Sequence, residues 1–90
     1  MVLRVQLLDM RHKPTADDRT MLHFLKETGV PFAVALTKCD KLKKTERETM
    51  RRAFASDPDL AAAVAVLETS AETGEGIEEL RALVEERLGE

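Results

Sequence analysis

The sequence predicts an α/β fold: three parallel strands in sequential order, alternating with three helices in a three-layer arrangement. Three observations carry this prediction. Short aliphatic runs recur three times, each is followed by apolar residues at helical spacing, and polar loops with turn residues separate the two kinds of segment. At 90 residues the chain holds one domain or less.

The first strand is read at Val2–Asp9, a near-continuous apolar run of the kind found in strands covered on both faces. Met10 to Pro14 leave it as a basic loop. Thr15 then opens a helix: Asp18, three residues on, makes a variant capping box, and Asp17 and Asp18 suit the positive end of the helix dipole. Met21, Leu22 and Leu25 form its apolar face, and Gly29 followed by Pro31 ends it. The second strand is Phe32–Leu36. After the polar loop Thr37–Leu42, Thr45 and Glu48 form a capping box that predicts a helix through about Ala55, with Met50 and Phe54 four apart on its buried side. Asp57-Pro58-Asp59 breaks or restarts that helix. The third strand is Ala65–Glu68, and the loop Thr69–Gly76 leads to a last helix from Ile77, whose apolar positions are Ile77, Leu80, Leu83, Val84 and Leu88. Right-handed crossovers place the first two helices on one face of the sheet.

Composition narrows the function. The apolar fraction of 43% is that of a globular chain, and no apolar run approaches the ~20 residues of a membrane span. One cysteine excludes an internal disulfide framework, and without a Cys/His cluster there is no structural zinc site. The expectation is a cytoplasmic protein with no membrane contact. A net charge of −3, from 14 basic and 17 acidic side chains, argues against strong non-specific nucleic-acid binding while leaving room for a local basic patch.

Ligands of such folds bind beyond the C-terminal ends of the strands, so the loops beginning near Asp9, Thr37 and Thr69 share one rim. In the second loop, Thr37-Lys38-Cys39-Asp40, an ionised Asp40 can accept from both N1–H and the exocyclic amine of guanine, a donor pair adenine does not have. Such a charge-assisted contact is worth roughly 1.5–3 kcal/mol. The stem of Lys38 can lie against the base with its ammonium toward the ribose. In the third loop the Ala71 N–H can donate to guanine O6, and Ser70 can hold Asp40 in place. Each loop alone has a plain reading, a solvated turn for one and a lead-in to a helix for the other. On successive strand ends they form a specific pair.

These strings, Leu7–Pro14, Thr37–Leu42 and Thr69–Gly76, together resemble the C-terminal half of the EngB family of GTP-binding proteins, over nearly the whole chain. The resemblance implies a fragment of a P-loop GTPase domain over residues 1–90, with guanine-recognition motifs at Thr37, Lys38 and Asp40 and at Ser70 and Ala71. It implies a part in bacterial ribosome assembly and cell division, GTP or GDP as ligand, and large-subunit ribosomal RNA as a partner. Thr37 stands where most GTPases have Asn, and Ala71-Glu72 where the family often reads Ser-Leu. The sequence contains no Gly-x-x-x-x-Gly-Lys-Ser/Thr, so the phosphate and Mg²⁺ machinery, which belongs to a full-length family member, is not in this chain. The expectation is nucleotide recognition without hydrolysis. The alternative is a non-enzymatic interaction module that binds ribosomal RNA or a complementary half-domain.

The remaining candidates read more plainly. His12 and His23 have no nucleophile at a diagnostic spacing, and His23 is placed on a helix surface. Cys39 is a small filler, although Lys38 and Lys41 would favour a reactive thiolate. Lys41 to Lys44 with Arg51 and Arg52 form a basic stretch, either a solvated helix start or an RNA contact. Glu78, Glu79, Glu85 and Glu86 are outer-face charges. In the family the first strand has neighbours on both sides. With one side open, its edge predicts self-association, or pairing with the N-terminal half.

Overall fold

The computed structural model describes residues 3–88. It contains β1 (Arg4–Asp9), α1 (Ala16–Thr28), β2 (Phe32–Thr37), a single 3-10 turn (Cys39–Lys41), α2 (Lys44–Ala55), β3 (Ala65–Glu68) and α3 (Ile77–Leu88). The sheet is parallel throughout, in the order β1-β2-β3, as the alternating pattern predicts. Val2, expected in the first strand, lies outside the described residues, as does the side chain of Leu88.

Register sorts the side chains into two faces. Leu8 pairs with Leu36 and Gln6 with Val34, so these four project to one side. On that side Leu8, Val34, Leu36 and Phe32 pack with Leu22 and Leu25 of α1, Phe54 of α2, and Leu60. Phe54, only 3% exposed, contributes about 1.5–3 kcal/mol by leaving water. The opposite face carries Ala33 and Ala35, both fully buried. Ile77 and Leu80 of α3 come against this face beside Ala35 and Leu7. The central strand is therefore covered on both sides, which accounts for its unbroken apolar run.

α1 begins and ends as its sequence dictates. The Thr15 hydroxyl accepts from the Asp18 N–H and the Asp18 carboxylate accepts from the Thr15 N–H, closing the capping box. Gly29 terminates the helix in the left-handed region, at φ 71°. α2 departs from expectation. It starts at Lys44, so Thr45 lies inside the first turn and caps nothing. Glu46, rather than Glu48, reaches back to the N–H at the cap position, that of Lys43. The cause is upstream: the 3-10 turn delivers Leu42 in an extended conformation against the core, and the helix starts as soon as that anchor is set.

The break after α2 is also an anchor. Asp59, 7% exposed, accepts from Arg19 (2.7 Å) and Lys26 (3.3 Å) and lies 3.0 Å from His23 Nε2, while Asp57 takes the other arm of Arg19. Three successive turns of α1 are thereby tied to the segment that leads into β3. His23 is exposed, as expected, but it is bonded rather than free.

Candidate functional site

The three strands end side by side, Asp9 opposite Thr37 and Leu36 opposite Glu68, so their exit loops meet on one rim. Hydrogen bonds join the loops. Met10 N–H donates to the Thr37 carbonyl (2.9 Å), and the Thr37 hydroxyl donates to the Leu8 carbonyl (3.3 Å). Thr37 thus braces the second loop against β1. Cys39 N–H donates to the Thr69 carbonyl (3.1 Å), and the Thr69 N–H and hydroxyl both donate to the Leu36 carbonyl.

Lys38 makes the turn out of β2. Its φ of 61° is the only left-handed value at a non-glycine among the described residues, and it swings the chain into the 3-10 turn that carries Asp40. The Lys38 ammonium lies 3.9 Å from Asp9. Asp9 is held mainly by Arg11, whose guanidinium donates at 2.8 Å; this and the Arg11 backbone N–H bring the carboxyl down to about 2, with Lys38 adding a smaller pull.

The Asp40 Oδ1 accepts from the Ser70 hydroxyl at 2.6 Å. Ser70 is fully buried, and its oxygen in turn accepts from the Thr73 N–H. This bond, above all, holds the Asp40 carboxyl below its ordinary range, so it is ionised at neutral pH; Lys41 contributes less. The Lys41 ammonium sits 3.7 Å from Asp40 Oδ2 and 2.9 Å from Glu72. Among the described residues the Ala71 N–H donates no hydrogen bond. The tight return into α3 requires Gly76: a Cβ there would overlap the Glu68 carbonyl oxygen, and φ is 75°.

Thr37, Lys38, Asp40 and Ala71 line a single cleft of about 440 Å³, floored by Leu7, Ala35, Ile77 and Leu80. Ser70 stands behind Asp40. All five expected site residues are thus gathered at one rim. The arrangement offers a fixed anionic acceptor and a backbone donor at the mouth of an apolar cleft. Among the described residues no cluster of His, Cys, Asp or Glu has metal-binding geometry.

Sequence reading missed a second group. Arg47 bridges Glu68 (2.7 Å) and Glu75, and Arg51 also holds Glu68 (2.6 Å). With Lys41 on Glu72 and Arg52 on Glu48, much of the expected basic stretch is neutralised by partners 4 to 31 residues away. Cys39 is buried, and burial pushes its thiol up, which fits a filler rather than a reactive thiolate. No described helix is long and apolar enough to cross a membrane.

No protein-family model matches the chain. Individual proteins do. It is 45% identical over 80 residues to a protein of Gemmatimonas aurantiaca, covering 84% of this chain and 37% of that one. It is 38% identical over 85 residues to one of Pelotomaculum thermopropionicum, covering 94% and 43%. Both are named "Probable GTP-binding protein EngB". The fold matches translation elongation factor SelB from Methanococcus maripaludis: the apo form superposes with a TM-score of 0.78 at 22% identity, over 99% of this chain and 20% of that one. The complex of SelB with the GTP analogue GPPNHP gives 0.74 at 25% identity, over 97% and 20%. The chain spans about two fifths of the length of the curated relatives it matches. Over the part it spans, the chain belongs with the EngB family of GTP-binding proteins.

Proposed function

We propose that this chain is the base-reading, C-terminal half of a GTPase domain and recognises the guanine of GTP or GDP. Asp40 accepts from the two adjacent guanine donors, the Ala71 N–H donates to O6, and Lys38 covers the base with its stem. Ser70 orients Asp40 and Thr37 braces the loop. The observation that carries this reading is the Asp40 carboxylate, kept ionised and fixed by a buried hydroxyl at 2.6 Å, lining the same cleft as the unengaged Ala71 N–H. A ligand without the donor pair leaves these polar groups unmatched, which is how hydrogen-bonding sites discriminate.

Phosphate and Mg²⁺ handling belong to sequence that this chain does not contain, so nucleotide binding rests on base contacts worth about −4 kcal/mol, a dissociation constant of about 1 mM. The chain alone hydrolyses no GTP above background. The family resemblance further supports a place in ribosome assembly and cell division, with large-subunit RNA as partner. Among the described residues Lys13, Lys43 and Lys44, and Arg4 at the start of β1, are exposed and make no ion pair, so they are cations open to phosphate.

Chemical-shift titration with GMP and AMP tests the reading. GMP binds more tightly, with shifts centred on Asp40 and Ala71, and Asp40→Asn removes the preference. Equal responses to both nucleotides would refute it. So would Mg²⁺-dependent GTP turnover, retained through purification and lost in Asp40→Ala, for the claim of inactivity.

A separate observation favours an interaction role as well. Among the described residues β1 pairs on one side only, its Leu7 is 61% exposed, and Met21 and Phe24 of α1 are also 45% or more exposed. An open aliphatic edge together with exposed apolar side chains associates, with a second copy or with the N-terminal half of such a domain.

A further inference from the structure

The base-reading carboxylate has a close cation, and that cation has somewhere else to be. Lys41, next to Asp40 in the chain, places its ammonium 2.9 Å from Glu72 Oε2, a direct hydrogen bond. The same ammonium is 3.7 Å from Asp40 Oδ2, within ion-pair range but outside hydrogen-bond range. Asp40 Oδ1 already accepts from Ser70. What remains for a base is the second acceptor site on Oδ1 and the whole of Oδ2. Asp40, Lys41 and Glu72 all line the cleft.

We infer that Glu72 is a positioning residue: it holds the Lys41 ammonium off Asp40 and so keeps both carboxylate oxygens open to a guanine base. This rests on the proposed base-reading role of Asp40 and adds a determinant of its strength. The mechanism is competition. Lys41 has a flexible four-carbon stem and a compact charge with three donors. A movement of less than 1 Å brings it from its present distance into a hydrogen bond with Oδ2. With the Glu72 charge in place, the shorter contact wins and the ammonium stays outward. Without it, Asp40 is the nearest carboxylate, and the ammonium occupies the acceptor that the guanine donors need. Ser70 does not compensate, because it fixes the other oxygen.

A merely structural role is separable. Lys41 and Glu72 sit on different loops, so their pair also ties the loops together. If that tie were what mattered, removing either partner would do equal harm. Competition predicts an asymmetry: losing Glu72 harms binding, and losing Lys41 does not.

The experiment is chemical-shift titration of the full chain with GMP and AMP in four forms: wild type, Glu72→Gln, Lys41→Met and the double variant. Asp40→Asn serves as control. Glu72→Gln weakens GMP binding roughly two- to fivefold, the size of an exposed ion-pair effect, and leaves AMP unchanged. The loss shrinks as salt is raised. Lys41→Met and the double variant bind GMP as wild type does. An unchanged Glu72→Gln, a Lys41→Met as weak as Glu72→Gln, or a double variant that stays weak would each overturn the inference. If Asp40→Asn abolishes the guanine preference while Glu72→Gln behaves as wild type, this inference alone fails. If Asp40→Asn retains the preference, the base-reading role fails and this inference with it.

Discussion

Gly76 and Gly29 offer a matched pair of perturbations. Both are left-handed, at φ 75° and 71°. A methyl at Gly29 meets nothing within 4 Å, so Gly29→Ala carries only the conformational cost, about 1 kcal/mol. A methyl at Gly76 overlaps the Glu68 carbonyl oxygen and lies 3.1 Å from the Glu68 carbonyl carbon and 3.2 Å from Thr69 Cγ2. These are backbone and buried atoms with no free end to swing away. Overpacking of that kind adds roughly 1–3 kcal/mol, so Gly76→Ala costs about 3 kcal/mol in total. Urea unfolding followed by circular dichroism reads both. With an m-value of about 1 kcal/mol/M for a chain this short, the midpoint falls by about 1 M for Gly29→Ala and about 3 M for Gly76→Ala. The displaced atoms belong to the strand end that presents Ser70, so Gly76→Ala also shifts the Asp40 and Ser70 resonances, whereas Gly29→Ala does not. Equal midpoints for the two variants would refute the overlap argument.

Three further outcomes are expected. The Asp9 carboxyl titrates at about 2 because of Arg11, below its unfolded-state value; its contribution to stability is therefore full at neutral pH and is lost as pH falls through the acid range toward 2. Carbon-detected titration finds Asp9 near the ordinary value of about 4 in Arg11→Ala, and an unmoved titration would count against the pair. Asp59→Asn removes the charge to which Arg19, His23 and Lys26 are tied; its urea midpoint falls more than that of Arg52→Ala, which breaks an exposed helical pair worth about 0.3–0.5 kcal/mol. Sedimentation at tens of micromolar finds a dimer or larger species, and a single monomer with exchange-protected β1 amides would contradict the open-edge argument.

Much of this molecule is legible from local pattern, because its strands and helices obey short-range rules. Thr15 with Asp18, Gly29 before Pro31, and the run Phe32–Leu36 each specify their structure within a few residues. The start of α2 does not. Two overlapping four-residue windows, from Lys43 to Glu46 and from Thr45 to Glu48, each put a glutamate three places after a candidate cap. The window from Thr45 is the better one locally, since Thr is a good cap and Lys is not. The core's claim on Leu42 decides for the window from Lys43. The rim was legible because a parallel α/β order forces all exit loops to one end, and so brings Asp40 and Ser70, thirty residues apart, within reach of each other. The ion pairs were not. Arg19 meets Asp57 and Asp59 at separations of 38 and 40 residues, and Arg47 meets Glu68 and Glu75 at 21 and 28. Nothing in the identity of an exposed arginine says which of several distant carboxylates the fold will bring to it.

The bonds from Cys39 N–H to the Thr69 carbonyl and from Ser70 to Asp40 have a consequence for how the rim moves. They make two loops into a single mechanical piece, hung between β2 and β3. Such a piece has one opening equilibrium rather than two. The amides of Cys39, Ser70 and Gly74 should then exchange with a common free energy of opening, as members of one cooperative unit, and anything that clamps one loop should slow exchange in the other by the same factor. A ligand that touched only the second loop would register in the third, with no change in the average position of either.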